Sequence, residues 1–254
     1  MTEYRVYALC YGHRTGTRGQ HFLGCDEHEW NQPHPTAYYV WLAVSDNHTV
    51  LVDAGIRPER AGELDSYEPP AKVLSEFGVP ATAVNRLVLT HLHYDHAGTV
   101  ADFPHARYVV QRQEYEYWTG PWARRITREQ WLLDGEALEF LGNAGQRLDF
   151  VDGDLEILPG LSVHLVGGHT AGMQVVRVAT AAGPVVLASD AAHFAENLED
   201  DRPAPLVHTM TGMYGAFDRV KELAGPGGRY LPGHDPVVLD RFPAEVPGRV
   251  VRVA

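Results

Sequence analysis

The feature that most constrains this chain is a run of metal-binding residue types that directly follows a short apolar strand. Residues 86–90 are predicted to form a buried strand, and three histidines and an aspartate follow within six positions: His91, His93, Asp95 and His96. Side chains alternate along an extended backbone, so His91 and His93 project to the same side. Imidazole and carboxylate groups at this spacing indicate a metal site.

Three further residues of these types follow other predicted apolar strands. They are His169, Asp190 and His234, and each has glycine or another small residue beside it. Small neighbours allow the backbone to approach a bound ion closely. Together with the first four residues they complete a set of seven ligands, which is enough for two adjacent ions. The alternative is a solvated polar loop with coincidental histidines, and the spacing argues against it.

The composition predicts a single globular domain over residues 1–254. The chain has 44% apolar residues, 14 histidines, two cysteines and a formal net charge of −12. A negative chain without a Lys/Arg-dense run argues against binding to nucleic acid. No apolar run approaches the length of a membrane span, and no signal peptide is predicted, so we expect a cytoplasmic protein with free thiols at Cys10 and Cys25.

The apolar pattern predicts two packed sheets with helices outside them, an α/β class of fold. We predict that residues 12–36 form a long loop, that residues 229–232 are the last core strand and that the tail after them is proline-rich. Helices are predicted over 71–78, over 112–142 with one break at Gly120-Pro121, and over 213–224. Strands are predicted over 4–11, 37–43, 49–53, 86–90, 107–111, 147–158, 161–166, 174–180, 184–188 and 229–232.

The order of the motifs resembles the metallo-β-lactamase superfamily of hydrolases over almost the whole chain. The segments that carry this resemblance are residues 91–96, 168–170, 189–191 and 233–235. The resemblance implies a four-layer αβ/βα sandwich with a dinuclear metal site on the shared edge of its sheets. It also implies a supporting role for Asp53. It divides the ligands between two ions: His91, His93 and His169 for the first, Asp95, His96 and His234 for the second, and Asp190 as the bridge.

The resemblance further implies the chemistry of a hydrolase. A hydroxide between the two ions would attack an acyl carbon, and Asp95 could pass a proton to the leaving group. Zinc suits the histidine-rich set, with Fe, Mn or Co as alternatives. The expected partner is a small-molecule substrate.

Among the branches of this superfamily, the chain is most similar to the N-acyl homoserine lactonases. The commonest zinc β-lactamases have cysteine where Asp190 stands, and 254 residues leave no room for a flavodoxin domain. The predicted function is therefore the opening of a lactone ring. A hydrolase of another small acyl substrate (an aromatic lactone, ester, thioester or cyclic amide) is the alternative, and an inactive metal-binding sensor is a third hypothesis.

One residue departs from that branch, whose members typically carry tyrosine three residues after the bridging aspartate. His193 occupies this position, and its imidazole could donate a hydrogen bond to the substrate carbonyl oxygen or only support the site. Two other features stay open. The aromatic segment 115–131 could form a wall over the site or pack in the core or a homodimer, and aromatic residues and histidines of 12–36 could line the pocket or a dimer contact.

Overall fold

The computed structural model describes residues 2–254 and contains two β-sheets. Their strands are β1 Arg5–Thr17, β2 Pro33–Val44, β3 Thr49–Val52, β4 Ser66–Tyr67, β5 Arg86–Val88, β6 Arg107–Gln111, β7 Leu148–Val151, β8 Leu155–Leu158, β9 Leu161–Leu165, β10 Gln174–Thr180, β11 Gly183–Ser189, β12 Arg229–Pro232, β13 Ala244–Val246 and β14 Val250–Arg252.

Helices cover the outer faces of the sheets and the segments between strands. The α-helices are α1 Arg18–His21, α2 Glu27–Trp30, α3 Pro70–Glu76, α4 Tyr94–Ala97, α5 Arg112–Thr119, α6 Gly135–Gly142, α7 Ala195–Glu199, α8 Met210–Ala224 and α9 Val237–Arg241. Short 3-10 helices occur at Pro58–Glu63, Ala81–Ala83, Val100–Asp102, Ala123–Arg125, Gln130–Leu132 and Gly145–Arg147. None of the helices described between residues 2 and 254 is long and apolar enough to cross a membrane.

The sheets are mixed, and their strand orders bring distant parts of the chain together. The first sheet has the order β13-β14-β1-β2-β3-β5-β6-β7, with β4 beside β1, and β3, β5, β6 and β7 are parallel neighbours. The second sheet has the order β12-β11-β10-β9-β8, in which β11 and β12 are parallel. Parallel neighbours in a sheet have their carboxyl ends at the same edge. This holds for β3 and β5 in the first sheet and for β11 and β12 in the second.

Alternation along the strands builds the four layers that the resemblance implies. In β1, Val6 and Ala8 pack between the two sheets, whereas Tyr7 and Leu9 pack toward the helices on the outer face of the first sheet. Phe217 and other apolar residues of α8 cover the outer face of the second sheet. Helix, sheet, sheet and helix therefore form the predicted αβ/βα sandwich.

Two sequence-based expectations are wrong. Residues 12–36 are not a loop, because β1 continues to Thr17 and pairs with β2 from Pro33 onwards, with α1 and α2 between them. The Gly-, His- and Pro-rich composition of this segment does not indicate strands. The backbone hydrogen bonds between β1 and β2 nevertheless hold it extended. The tail contains α9, β13 and β14, and β14 pairs with β1. In addition, the helical stretch 112–142 is divided into α5, two 3-10 helices and α6.

Candidate metal centre

All seven predicted ligand residues lie at one edge of the sandwich, and the ends of strands deliver them. His91 follows β5 closely, and His93 caps the short helix α4 that carries Asp95 and His96. His169, Asp190 and His234 follow β9, β11 and β12. The two sheets meet at this edge, so residues far apart in sequence come together.

The first set of side chains, which we call the three-histidine group, consists of His91, His93 and His169. One ring nitrogen from each lies within 4.8 Å of the others, and Nδ1 of His93 is 3.1 Å from Nε2 of His169. All three rings are buried. Burial lowers the pKa of His93 to about 3 and holds the pKa of His91 and His169 well below the usual value. These imidazoles are therefore neutral near pH 7, the form that binds metal ions.

The second set, the Asp95 group, consists of Asp95, His96 and His234. Oδ2 of Asp95 lies 3.7 Å from Nε2 of His96 and 3.9 Å from Nε2 of His234. Burial opposes protonation of His96, but the carboxylates of Asp190 and Asp95 outweigh burial and raise its pKa well above the usual value. The same balance raises the pKa of His234. The carboxylates of this group therefore stabilise positive charge, on the imidazoles or on a bound cation.

Asp190 lies between the two groups and turns one carboxylate oxygen to each. Oδ1 is 3.0 Å from Nε2 of His234 and 3.3 Å from Nε2 of His96. Oδ2 is 3.4 Å from Nε2 of His169 and 4.0 Å from Nε2 of His91. Burial alone would raise the pKa of Asp190, but the imidazoles around it hold the pKa well below its usual range.

Several of these buried polar atoms have no hydrogen-bond partner. They are Nε2 of His91, Nε2 of His96 and Oδ1 of Asp190. A buried polar atom without a partner costs about 1–3 kcal/mol, so native proteins rarely leave several together. Cations between the two groups would satisfy these atoms, and the donor set of imidazoles and carboxylates fits a dinuclear metal centre.

Asp53 connects the centre to the strands beneath it, as the resemblance implies. Its Oδ2 lies 2.8 Å from Nδ1 of His96 and orients the ring so that Nε2 faces the centre. Its Oδ1 accepts from the backbone N–H of Thr90 at 2.8 Å. Asp53 and Ser189 have φ values of 63° and 46°, a left-handed conformation that is costly without glycine. Backbone strain is thus concentrated beside the centre.

Sequence reasoning missed three residues that support the centre. The hydroxyls of Thr90 and Ser189 lie 3.0 Å apart and both contact Asp53. Glu114 is fully buried, and its carboxylate accepts from the backbone N–H groups of Leu92 and Gly172. It therefore joins the loops that carry His93 and His169. The sequence does not single out any of the three, because threonine, serine and helical glutamate occur throughout proteins without a role at a metal site.

Gly233 packs directly against the carboxylate of Asp190 and leaves no room for a side chain. A Cβ atom at this position would lie 2.8 Å from Oδ1 of Asp190 and 2.8 Å from the carbonyl carbon of Ser189. Any larger residue would displace the carboxylate. The glycine beside His234, noted in the sequence, is thus explained by close packing.

A cleft of about 450 Å³ opens onto the centre. His193 lies on its wall, and Nε2 of His193 is 3.0 Å from Oδ2 of Asp190. Tyr38 packs against His234 with ring centroids 5.0 Å apart. Other lining residues come from the β1–β2 arm (residues 12–36), from the 3-10 helix Pro58–Glu63, from α4 and from the segments after α5 and α7: Arg14, Gln20, His21, Thr36, Glu63, Tyr94, Trp131, Leu132, Pro205 and Leu206.

The aromatic segment 115–131 divides between the two roles considered for it. Trp118 is buried in the core and lies 6.2 Å from the ring of His93. Trp131 lines the cleft and is 61% exposed, whereas Trp122 is exposed outside it. In the β1–β2 arm, His21 lines the cleft, Phe22 is buried, and Trp30 is exposed. Both segments therefore contribute to the cleft through a single ring each, His21 and Trp131.

Comparison with known proteins gives the same picture. The family model of the metallo-beta-lactamase superfamily matches residues 34–241. The N-acyl homoserine lactonase AttM of Rhizobium johnstonii is 28% identical over 273 residues, covering 95% of this chain and 97% of the relative. The N-acyl homoserine lactonase AiiA of Bacillus thuringiensis subsp. kurstaki is 30% identical over 183 residues, covering 65% and 68%.

A solved structure supports the fold independently of these sequences. It is an N-acyl homoserine lactone hydrolase with the product N-hexanoyl-L-homoserine bound at its catalytic metal centre. The two chains superpose with a TM-score of 0.78 at 21% identity, over 96% of this chain and 98% of that one. The chain therefore belongs to the metallo-β-lactamase superfamily, in the branch that contains the N-acyl homoserine lactonases.

Proposed function

We propose that this protein is a dinuclear metal-dependent hydrolase that opens the ester of a lactone ring. The observation that carries the proposal is the position of Asp190, whose two oxygens face the three-histidine group and the Asp95 group separately. Two dications close together repel each other, and a carboxylate between them offsets that repulsion. The three-histidine group would hold one ion and the Asp95 group the other.

Zinc is the metal that this donor set favours, with Fe, Mn or Co as alternatives. Five imidazoles supply most of the ligand atoms in the two groups, and carboxylates supply the rest. When bound, two such ions would provide a water of lowered pKa and an electrophilic centre for the ester carbonyl. His96 is held for this role by Asp53, and His169 by the backbone carbonyl of Leu206, 2.9 Å from its Nδ1.

Asp95 is proposed to move the proton that ring opening requires. Its side chain is 15% exposed and lines the cleft, so it contacts both the centre and an incoming substrate. When the ester bond breaks, the leaving alkoxide oxygen needs a proton. A carboxylate that has taken a proton from the attacking water can deliver it, and this transfer contributes about 100-fold or more to such reactions.

His193 is proposed to donate an N–H group to the ester carbonyl oxygen as negative charge develops there. Its ring lines the cleft, and its buried Nε2 lies 3.0 Å from Oδ2 of Asp190. A donor held at that point is more useful in the transition state than in the ground state, since the charge exists only then. Imidazole would thus replace the phenol typical of this branch.

N-acyl homoserine lactones are the proposed class of substrate, because the curated relatives are named as lactonases of these molecules. The cleft combines the polar centre with apolar walls from Trp131, Leu132 and Leu206, which suits a lactone ring followed by an acyl chain. The homodimer considered from the sequence stays a prediction.

Metal-loaded protein assayed on matched lactones, thioesters and β-lactams would test the proposal. We expect kcat/KM for lactones to exceed the values for the other two classes. Faster hydrolysis of thioesters or β-lactams would overturn the lactone assignment, although the metal centre would stand. No hydrolysis of any substrate by protein holding two ions would contradict the proposed function itself.

A further inference from the structure

Arg14 is a cleft residue that the proposed chemistry does not use. It lies in the part of β1 that extends beyond the core, where it pairs with Thr36 of β2. Two residues nearer the core, Gly12 pairs with Tyr38. Directly paired residues project to the same face of a sheet, so Arg14 and Thr36 share the face on which Tyr38 packs against His234. That face is the wall of the cleft.

The charge of this guanidinium is poorly balanced. The nearest carboxylate among residues 2–254 is that of Glu63, with Oε2 at 3.7 Å from Nη1, beyond hydrogen-bond distance. The Glu63 side chain is 82% exposed, whereas that of Arg14 is only 32% exposed. An exposed pair of this kind contributes little, so Arg14 is available to another anion.

Two other arginines of this protein form ion pairs with direct hydrogen bonds to a carboxylate. Arg18 donates to Glu29 at 2.8 Å, and Arg202 donates to the same carboxylate at 2.9 Å. Arg14 has no such contact, and it is the single Arg or Lys among the described residues that line the cleft. The carboxylate of Glu63 lines the same cleft but lies beyond hydrogen-bond distance, so the guanidinium of Arg14 keeps donors for an anionic group.

A second donor lines the same cleft as Arg14. The side-chain oxygen of Gln20 accepts a hydrogen bond from the backbone N–H of Thr17 at 3.1 Å. This contact leaves the amide NH₂ of Gln20 to donate, and Gln20 also lines the cleft. A planar guanidinium and an amide together match the two oxygens of a carboxylate.

We propose that Arg14 binds an anionic group, most simply a carboxylate, on the part of the substrate remote from the ester. This inference rests on the proposed function and specifies the acyl portion of the substrate. The Arg14–Thr36 pair lies two residues along the strands from the Gly12–Tyr38 pair, which corresponds to about 7 Å between the two pairs. Trp131 and Leu132 line the same cleft, so the preferred acyl group has an apolar spacer and an anionic end.

Kinetics on matched homoserine lactones test the inference. One series carries methyl-ended acyl chains, and the other carries carboxylate-ended chains of the same lengths. The wild-type enzyme should prefer a carboxylate-ended member by at least about 10-fold in kcat/KM, through a lower KM, since a charge-assisted pair acts on binding. Arg14→Gln should remove that preference, and Arg14→Lys should retain part of it.

Two further variants sharpen the test. Arg14→Glu should reverse the preference in favour of ammonium-ended chains of the same lengths. Arg241→Gln is the matched control, since it removes one positive charge at the end of α9, and Arg241 is not among the residues that line this cleft. The control should keep the wild-type preference.

The outcomes separate the inference from the proposed function. Hydrolysis of both series with no preference for the carboxylate, or an unchanged preference in Arg14→Gln, overturns the role of Arg14 and leaves the lactonase proposal standing. Hydrolysis of neither series by protein that holds two metal ions overturns both.

Discussion

The three-histidine group and the Asp95 group contain similar side chains in opposite electrostatic surroundings. Around His91, His93 and His169, burial dominates and lowers the pKa of each ring. Around His96 and His234, carboxylates dominate and raise the pKa. The first group is a ready set of neutral donors. The second group carries an excess of negative charge that a cation, or otherwise protons, must balance.

This difference shows how one cleft can present two different ion sites. Asp190 belongs to both sites. Asp53 contacts His96 of the second site directly, and it reaches His91 of the first only through the hydroxyl of Thr90, which is 3.1 Å from Nδ1 of His91. Changes at Asp190 should therefore affect the whole centre, and changes at Asp53 should affect mainly the second site.

The largest effect is expected for Asp190→Asn. This substitution removes the charge that faces both groups, so we expect kcat/KM for lactones to fall by at least about 100-fold, the scale of losing a key electrostatic stabiliser. Metal content and kinetics should be measured on the same samples. Asp240→Asn, on the exposed side of α9, is the control. Near wild-type turnover by Asp190→Asn with both ions bound would show that Asp190 does not bridge.

Asp53→Asn should affect the Asp95 group more than the three-histidine group, because Asp53 contacts His96 directly and His91 only through Thr90. Asparagine tolerates the left-handed backbone at this position, but the new amide cannot accept from both Thr90 and His96. His96 loses its orienting partner, and we expect about 10–100-fold weaker binding of one ion. Titration with a competing chelator measures both affinities. The ion of the three-histidine group is the internal control, and equal weakening of both ions would contradict the division into two groups.

Asp53 and its partners also show what the sequence could and could not predict. The seven candidate ligand residues could be predicted to lie together because they follow short apolar strands, and those strands form the core of the sandwich. The contacts of Thr90, Ser189 and Glu114 were not predictable, because they depend on segments that meet only in the folded chain. Their residue types also occur in any loop or helix.

The β1–β2 arm is the other part that sequence reasoning could not predict. Strands are normally recognised by β-branched and aromatic residues, but β1 beyond Cys10 has glycines at positions 12 and 16. Pairing with β2 holds it extended, and the partner residues include Pro33 and Pro35. The cleft wall that carries Arg14 was therefore predicted as a loop.

His193→Ala should have a smaller effect than either aspartate variant. Its proposed N–H contact acts on the transition state, so we expect kcat to fall by about 10-fold with little rise in KM. His193→Tyr should retain lactonase activity if a phenol can replace the imidazole. His28→Ala, on exposed α2, is the control. Unchanged kcat in His193→Ala would leave His193 a supporting residue only.

The smallest effect concerns the stability of the metal-free protein. His93 has a pKa of about 3 in the folded protein, so it is neutral there. In the unfolded chain its pKa is about 6.5, so below that pH the unfolded chain takes up a proton that the folded protein does not. Stability should therefore fall as the pH drops below that value, by about 1 kcal/mol for this group at pH 5.5. Urea denaturation across pH should show a shallower acid limb in His93→Asn.

His234 provides the opposite sign and a matched comparison. Its folded pKa is raised, so its contribution is present below pH 6.5 and is lost as the pH rises through the folded value. His234→Gln should flatten the dependence above pH 6.5 and leave the acid limb unchanged. An identical pH profile for the two variants would contradict the electrostatic contrast between the groups.

The most direct test of the account is metal stoichiometry coupled to activity. Chelator-treated protein should be titrated with zinc while bound metal is counted by elemental analysis and lactone hydrolysis is followed. Full activity should require two ions per chain, and protein with one ion should have only a small fraction of it. Full activity with a single ion, or without metal, would contradict the dinuclear centre.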